Sequence, residues 1–204
     1  MKNYIVFDLE WNQSANGKER SVPHFPFEII EIGAVKLNEN FQMTGEFHRL
    51  VRPQVYTQMH HAISEVTHMN MKELRSSGEL FPDAAAEFLA WCGGDAVFCT
   101  WGNMDLLELQ RNMDYYHMEN PFPKPLLYYD VQKLYGLFCR ENARISLDSA
   151  VEEQNLMEDR PFHRALDDAY YTGKLLTMLG KTPGPDAILP FKSVDYYRLP
   201  SDKK

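Results

Sequence analysis

Four acidic residues and one histidine occur in the chain at positions where a metal site could form. Asp8 and Glu10 lie in IVFDLEW, Asp105 lies in WGNMD, and His163 and Asp168 lie in HRALDDA. Each acid is close to a hydrophobic run, at the end of a predicted strand or the start of a predicted helix. Carboxylate oxygens suit hard divalent cations such as Mg²⁺ or Mn²⁺. The combination is what phosphodiester hydrolysis assisted by two metal ions requires.

The pair Asp8 and Glu10 is predicted to project from one face of a strand. Residues two apart in a strand point the same way, whereas Leu9 between them points into apolar packing on the other face. Two carboxylates this close remain ionised in an apolar setting only if cations lie near them. The alternative is an edge strand with solvated acids. The preceding run IVF favours a buried central strand.

Asp105 follows the predicted strand AVFCTW and lies in the first turn of a predicted helix. A helix-start acid that only complements the helix dipole is the alternative explanation of this position. Trp101 and Gly102 before it allow the strand end to open onto a surface. Asp105 is preferred over Glu108 as a ligand because it lies nearer the strand end.

The segment HRALDDA combines a histidine on a loop with an acid on a helix. Pro161 is expected to keep His163 on the loop, where its ring can act as a base over a pocket. One face of the helix is predicted to carry Ala165, Asp168, Ala169 and Thr172. The small alanines on that face allow Asp168 to approach the sheet closely. A surface histidine and a charged helix start are the alternative for this segment taken alone.

The elements that must position these residues alternate along the chain. Strands are predicted at 4–9, 28–37, 45–53, 96–101 and 126–131. Helices are predicted at about 82–91, 103–116 and 164–179, after Asp130 and after Ser146, whereas 55–80 is predicted to be irregular. Three strands joined by short connections, followed by strand–helix alternation, predict an α/β fold. Its mixed five-stranded sheet, with three antiparallel and then two parallel strands flanked by helices, is the ribonuclease H-like architecture.

The composition fits one α/β domain. The chain has 204 residues, of which 44% are hydrophobic and 25% charged, and it contains no apolar run of about 18 residues that could span a bilayer. The N-terminus does not have the pattern of a signal peptide. Three cysteines, Cys92, Cys99 and Cys139, have no zinc-site spacing and are typical of a reducing compartment. These features predict a cytoplasmic protein.

The charge of the chain limits how it could bind nucleic acid. The net charge is −8 and the isoelectric point is about 5.4, whereas proteins that bind nucleic acid by bulk electrostatics carry a basic face. Two divalent cations would neutralise four of the acids. The charge therefore predicts that the protein contacts only a small area of a nucleic acid, at the end of one of its strands.

The full pattern resembles the DEDDh 3′–5′ exonucleases, a ribonuclease H-like family. The resemblance rests on the D-x-E pair, a later Asp after a strand, and H-x-A-x-x-D towards the C-terminal end, and it runs from Tyr4 to about Leu179. The segments FDLEW, EIIEIGAV and FHRLVRP are most similar to the branch that trims histone mRNA ends and small interfering RNA.

The resemblance implies a role for each motif residue. Two Mg²⁺ or Mn²⁺ ions would be bound by Asp8, Glu10, Asp105 and Asp168. Glu10 would also be a catalytic residue, and His163 would be the general base. The implied reaction is metal-dependent 3′–5′ hydrolysis of single-stranded ends, with RNA preferred, to nucleoside 5′-monophosphates. Expected substrate contacts come from Leu9, Trp11, Trp101 and Thr67.

One stretch departs from the family. Val66-Thr67-His68-Met69 stands where relatives carry a Leu-Thr-Gly-Ile type of sequence that cradles the terminal nucleotide. Histidine in place of glycine puts the backbone geometry and the substrate preference there in question.

Several alternatives stay open at the level of sequence. They are a DNA-trimming or proofreading-type exonuclease, a phosphodiesterase of very short substrates, and a non-catalytic module that binds RNA or protein. The expected partners are single-stranded 3′ ends, with a homodimer or an accessory protein left open and no membrane. The predicted domain covers 1–181, followed by an extended Pro-rich tail at 182–204.

Overall fold

The computed structural model describes residues 3–15, 21–123, 126–139 and 144–180, together with the backbone of 191–192. A six-stranded sheet has the order β3-β2-β1-β4-β5-β6. Its strands are β1 (Asn3–Asn12), β2 (Glu28–Leu37), β3 (Met43–Leu50), β4 (Ala96–Thr100), β5 (Leu127–Asp130) and β6 (Phe191–Lys192). β1, β2 and β3 are antiparallel neighbours, and β4 and β5 run parallel to β1. The mixed sheet of five strands predicted from the sequence is confirmed.

The two-residue β6 extends this sheet by antiparallel pairing with β5. It lies in the segment that the sequence assigned to the extended tail. The other residues from 181 onward lie outside the described part of the chain, so the domain boundary at 181 stays a prediction.

Seven helices occur in the described residues. They are α1 (His61–Thr67), α2 (Met71–Ser77), α3 (Phe81–Cys92), α4 (Met104–Tyr115), α5 (Val131–Cys139), α6 (Leu147–Glu153) and α7 (Ala165–Gly180). The prediction that 55–80 is irregular is wrong, because α1 and α2 occupy much of it. Each of these helices has only seven residues, which is too short for a clear apolar period.

The core consists of two main apolar layers, one on each face of the sheet. Ile5, Phe7 and Leu9 of β1 pack in the layer that contains residues of α3 and α4. Val6 faces the other layer, which contains residues of α5, α6 and α7. This alternation follows from the two-residue period of a strand, and it places Asp8 and Glu10 on the same face as Val6.

The predicted central strand is confirmed, because β1 has neighbours on both sides. Val6 pairs with Cys99 near the end of β4, and β1 continues beyond β4 to Asn12. Asp8 and Glu10 therefore project where the neighbouring parallel strand has ended. In open α/β sheets, sites form at this edge, beyond the carboxyl ends of parallel strands. No described helix combines the length and the apolar composition needed to cross a membrane.

Candidate active site

Three carboxylates meet at the carboxyl end of β1. Asp8, Glu10 and Asp168 each offer a carboxylate oxygen, and these oxygens lie within 4.8 Å of one another. Asp168 reaches the strand because the first turn of α7 packs against the sheet, with Ala165 and Ala169 fully buried. The structure therefore brings these three predicted residues together.

Asp105 joins the same site from the first turn of α4. It is 5% exposed, and its Oδ1 accepts a hydrogen bond of 3.1 Å from the backbone N–H of Leu9, between the two β1 acids. The neighbouring acid Glu108 is fully buried and forms an ion pair with Arg111. The carboxylate of Glu108 therefore has a cationic partner within the protein.

His163 lies on the loop that leads into α7 and is exposed. Its backbone is left-handed, with φ of 65°. Its N–H donates to both carboxylate oxygens of Asp168, at 3.2 and 3.3 Å. These bonds hold the histidine beside the acid group while its ring is open to solvent.

The four acids raise one another's affinity for protons. Burial, followed by the charges of Asp105 and Glu10, raises the pKa of Asp8 well above its usual range. Burial is also the largest cause of the increase in the pKa of Glu10 to about 8, to which the charge of Asp168 adds. Burial raises the pKa of Asp105 to about 7, although the Leu9 N–H opposes the increase.

The pKa of Asp168 is also raised. Burial raises its pKa to about 7, and the hydrogen bond from the His163 N–H acts against this. The raised pKa values of these four half-buried or buried carboxylates show that their ionised forms are disfavoured, and a divalent cation would compensate the negative charge of those forms. Their oxygens are the hard donors that Mg²⁺ and Mn²⁺ prefer. The residues present therefore fit a metal site.

The expected substrate contacts differ in how accessible they are. Leu9 is 3% exposed, and its side chain packs in the core on the face of β1 opposite Asp8 and Glu10. Its backbone N–H is bonded to Asp105. Trp11 is half-buried, with its ring 5.6 Å from that of Phe27. Trp101 is also half-buried, with its ring 6.0 Å from that of Tyr135. The two tryptophans retain partly exposed surfaces.

Thr67 is not available to a ligand, and its assignment as a substrate contact is wrong in this structure. It is 2% exposed. Its hydroxyl donates to the carbonyl of Ile63 at 2.8 Å and accepts from the N–H of Met69 at 3.2 Å. The neighbouring Val66 is 46% exposed instead. The hydroxyl of Thr67 thus stabilises the end of α1.

His68 keeps the backbone geometry that a glycine would favour. It ends α1 in the left-handed conformation, with φ of 57° and ψ of 13°, and its N–H donates to the carbonyl of Ser64. Histidine is one of the residues enriched in this conformation. The departure from the family sequence therefore leaves the turn after α1 intact.

Sequence reasoning missed Glu31, a fifth acid beside the site. It is 1% exposed and lies opposite Glu10 in the β1–β2 ladder. Its carboxylate binds the Arg164 side chain and the N–H of Ala165, the first residue of α7. The signal in the sequence was an acid inside the apolar run EIIEIGAV, because a buried acid needs a partner.

The sequence of the chain is similar to those of known exonucleases. The exonuclease family termed RNase T matches residues 5–176 of the chain. A probable 3′–5′ exonuclease, KapD of Bacillus subtilis (strain 168), is 28% identical over 185 residues, which cover 86% of this chain and 83% of KapD.

Two solved structures illustrate the similarity in fold. The nuclease domain of 3′hExo, a DEDDh family member bound to rAMP, has a TM-score of 0.74 at 21% identity, covering 90% of this chain and 94% of that one. Escherichia coli Exonuclease I in complex with a dA16 oligonucleotide has a TM-score of 0.72 at 17% identity. That match covers 92% of this chain and 42% of Exonuclease I.

Proposed function

The chain belongs to the RNase T exonuclease family, and we propose that it removes nucleotides from the 3′ ends of single-stranded nucleic acid, RNA in preference to DNA. The observation that carries this proposal is the convergence of Asp8, Glu10 and Asp168 within 4.8 Å. The 3′–5′ direction is supported by the relative KapD, a probable 3′–5′ exonuclease.

Two divalent cations, Mg²⁺ or Mn²⁺, would be held by Asp8, Glu10, Asp105 and Asp168. When bound, such ions stabilise charge that develops on phosphoryl oxygens and favour ionisation of water. Asp105 contributes a second role, because its bond to the Leu9 N–H fixes the strand segment that carries the two β1 acids.

His163 acts as the general base in this proposal. Its exposed side chain accepts a proton from the attacking water, whose oxygen forms a bond to phosphorus. The bond from phosphorus to the 3′ oxygen of the preceding nucleotide breaks, this oxygen takes up a proton from solvent water, and the terminal nucleotide leaves as a 5′-monophosphate. The left-handed backbone of His163 and the bonds from its backbone N–H to Asp168 hold the main chain of this residue beside the acids.

Three side chains are proposed as contacts of the terminal nucleotide. Trp11 and Trp101 offer ring surfaces on which bases could stack. Val66 replaces Thr67 as the proposed contact from α1, because it is exposed and Thr67 is not. The RNA preference draws on the 3′hExo domain, which binds rAMP, while Exonuclease I with its dA16 oligonucleotide represents the DNA alternative.

The deciding experiment is digestion of single-stranded RNA and DNA of matched sequence, labelled at the 3′ or the 5′ end, with Mg²⁺, with Mn²⁺ and with EDTA. Wild type is compared with Asp8→Asn. Metal-dependent loss of single nucleotides from the 3′ end, absent from the variant, is the expected result, with RNA degraded faster. Faster degradation of DNA would favour the DNA-trimming alternative. No cleavage by folded protein would favour a binding module.

The location and the oligomeric state of the enzyme belong to the same proposal. A cytoplasmic location and a homodimer or accessory partner stay predictions. Light scattering of the purified chain, alone and with a single-stranded oligonucleotide, distinguishes a monomer from a dimer in both states.

A further inference from the structure

We propose that Glu31 is a positioning residue that fixes the start of α7, and thereby sets where His163 and Asp168 lie relative to the β1 acids. This inference rests on the proposed function, because it concerns how the metal and proton-transfer groups of that site are held.

The carboxylate of Glu31 accepts most of its hydrogen bonds from the residues at the start of α7. Its Oε1 accepts from Arg164 Nη2 at 2.7 Å, and both carboxylate oxygens accept from Arg164 Nε, at 3.1 and 3.2 Å. Oε2 also accepts from the backbone N–H of Ala165 at 3.0 Å. His48 Nε2 of β3 lies 2.7 Å from Oε1. Arg164 and Ala165 directly follow His163, so these bonds anchor the segment that carries the proposed base.

Glu31 is distinct from the candidate ligands although it lies among them. Cross-strand pairing places it opposite Glu10 on the same face of the sheet. Because both of its oxygens bind protein donors, Glu31 acts on the site through Arg164 and α7.

A second contact shows how closely the start of α7 fits the sheet. Gly33, two residues after Glu31, lies opposite Asp8. A Cβ added at Gly33 would lie 2.0 Å from the backbone nitrogen of Leu166. The first turn of α7 thus touches the backbone of β2. Gly33 limits how near the helix can come, whereas the carboxylate of Glu31 fixes its direction and the conformation of the residues before it.

The test compares Glu31→Gln with wild type in the full chain. Mn²⁺ binding to the metal-free protein is measured by electron paramagnetic resonance, and amide hydrogen exchange is measured in the peptide that contains Ala165. We expect Mn²⁺ affinity and kcat to fall roughly 10–100-fold, the range typical of groups that orient metal ligands. KM for an oligonucleotide should change less than about threefold, and exchange at Ala165 should accelerate.

Glu28→Gln is the matched control. Glu28 lies on the same strand and is also 1% exposed, but its carboxylate accepts from the backbone N–H groups of Gln54, Val55 and Tyr56. It should lower stability without changing Mn²⁺ affinity. His48→Gln removes one donor to Glu31 and leaves α7 attached, so Mn²⁺ affinity should again be unchanged.

The outcomes separate this inference from the proposed function. Wild-type Mn²⁺ affinity in folded Glu31→Gln, or equal weakening in Glu28→Gln, overturns the positioning role. Weakened Mn²⁺ binding in Glu31→Gln, in a protein whose wild type cleaves nothing, supports positioning while the exonuclease proposal fails. If Glu31→Gln does not fold, Arg164→Gln removes the same link from its more exposed end, whose side chain is 31% exposed. It must then weaken Mn²⁺ binding for the inference to stand.

Discussion

Glu10 and Glu31 are cross-strand partners with opposite electrostatic surroundings. Burial and the charge of Asp168 raise the pKa of Glu10 to about 8. Burial acts on Glu31 in the same direction, but hydrogen bonds from His48 and Arg164 outweigh it and lower the pKa of Glu31. Of two adjacent acids, Glu31 therefore has its charge balanced by protein donors, whereas Glu10 tends to keep its proton unless a cation compensates its charge.

The metal-free protein should lose stability as the pH rises from about 4 to 8. The pKa of Glu10 rises from 4.5 to about 8 on folding, and the pKa of Asp168 rises from 3.8 to about 7. Between these values the folded state binds more protons than the unfolded state, so the free energy of unfolding falls as the pH increases. Thermal melts in EDTA across this range should show the decline.

Saturating Mn²⁺ provides the control for that prediction. A bound cation favours the ionised acids, so Mn²⁺ should raise the melting temperature more at pH 8 than at pH 5. A metal-free melting temperature that increases between pH 5 and pH 8 would contradict the raised pKa values of the cluster.

Asp8→Asn should stabilise the metal-free protein while abolishing activity. The substitution removes one of the repelling carboxylates and keeps its shape. We expect a melting temperature roughly 2–4 °C higher than wild type at pH 8, equivalent to about 1 kcal/mol, and a difference that shrinks towards pH 5. The exposed Glu119→Gln, which removes the same formal charge, should change stability by less than about 0.5 kcal/mol. A destabilised Asp8→Asn would argue against repulsion in the cluster.

His163→Asn should lower kcat by roughly 10²–10⁴-fold, the usual contribution of a general base, and leave Mn²⁺ binding within about threefold of wild type. His117→Asn is matched to it, because His163 and His117 both have left-handed backbones, with φ of 65° and 54°. Asparagine tolerates that conformation, so neither variant should unfold. Equal rates for the two variants in single-turnover digestion would remove His163 from the reaction.

Gly33→Ala should destabilise the fold, because its Cβ would lie 2.0 Å from the Leu166 nitrogen. Backbone atoms on both sides must move, so we expect the free energy of unfolding to fall by more than about 2 kcal/mol. An added Cβ at Gly94 meets nothing within 4 Å, and Gly94→Ala should be nearly neutral. Urea denaturation measures both. A neutral Gly33→Ala would mean that α7 is free to move away from β2.

Val66→Ser should raise KM for a single-stranded oligonucleotide by roughly threefold to tenfold through loss of apolar contact, with kcat less affected. Leu137→Ser on α5 is the control, since Leu137 and Val66 are 47% and 46% exposed. Steady-state digestion of one labelled oligonucleotide compares them. The same KM for both variants would place the substrate path away from α1.

The main parts of the site were predictable because local periodicity determines them. The two-residue period of a strand put Asp8 and Glu10 on one face, and helical spacing put Asp168 on the face with Ala165. Asp105 could be chosen over Glu108 from its distance to the end of β4. The resemblance to a known family then joined these separate pieces.

The remaining features depend on contacts that no local pattern contains. Arg164 lies 133 residues after its partner Glu31 in the sequence, so neither residue predicts the other. Thr67 has the residue type of a ligand contact, but the carbonyl of Ile63 and the N–H of Met69 occupy its hydroxyl. The helices α1 and α2 were missed because they are short and follow no apolar period.

The position of α7 along the sequence has a consequence for synthesis of the protein. Asp168 and His163 come after β5, so a chain still on the ribosome can contain five strands of the sheet without them. A chain released before this point has the β1 acids but lacks both the third converging carboxylate and the proposed base. Incomplete translation products that end before α7 therefore lack a complete site.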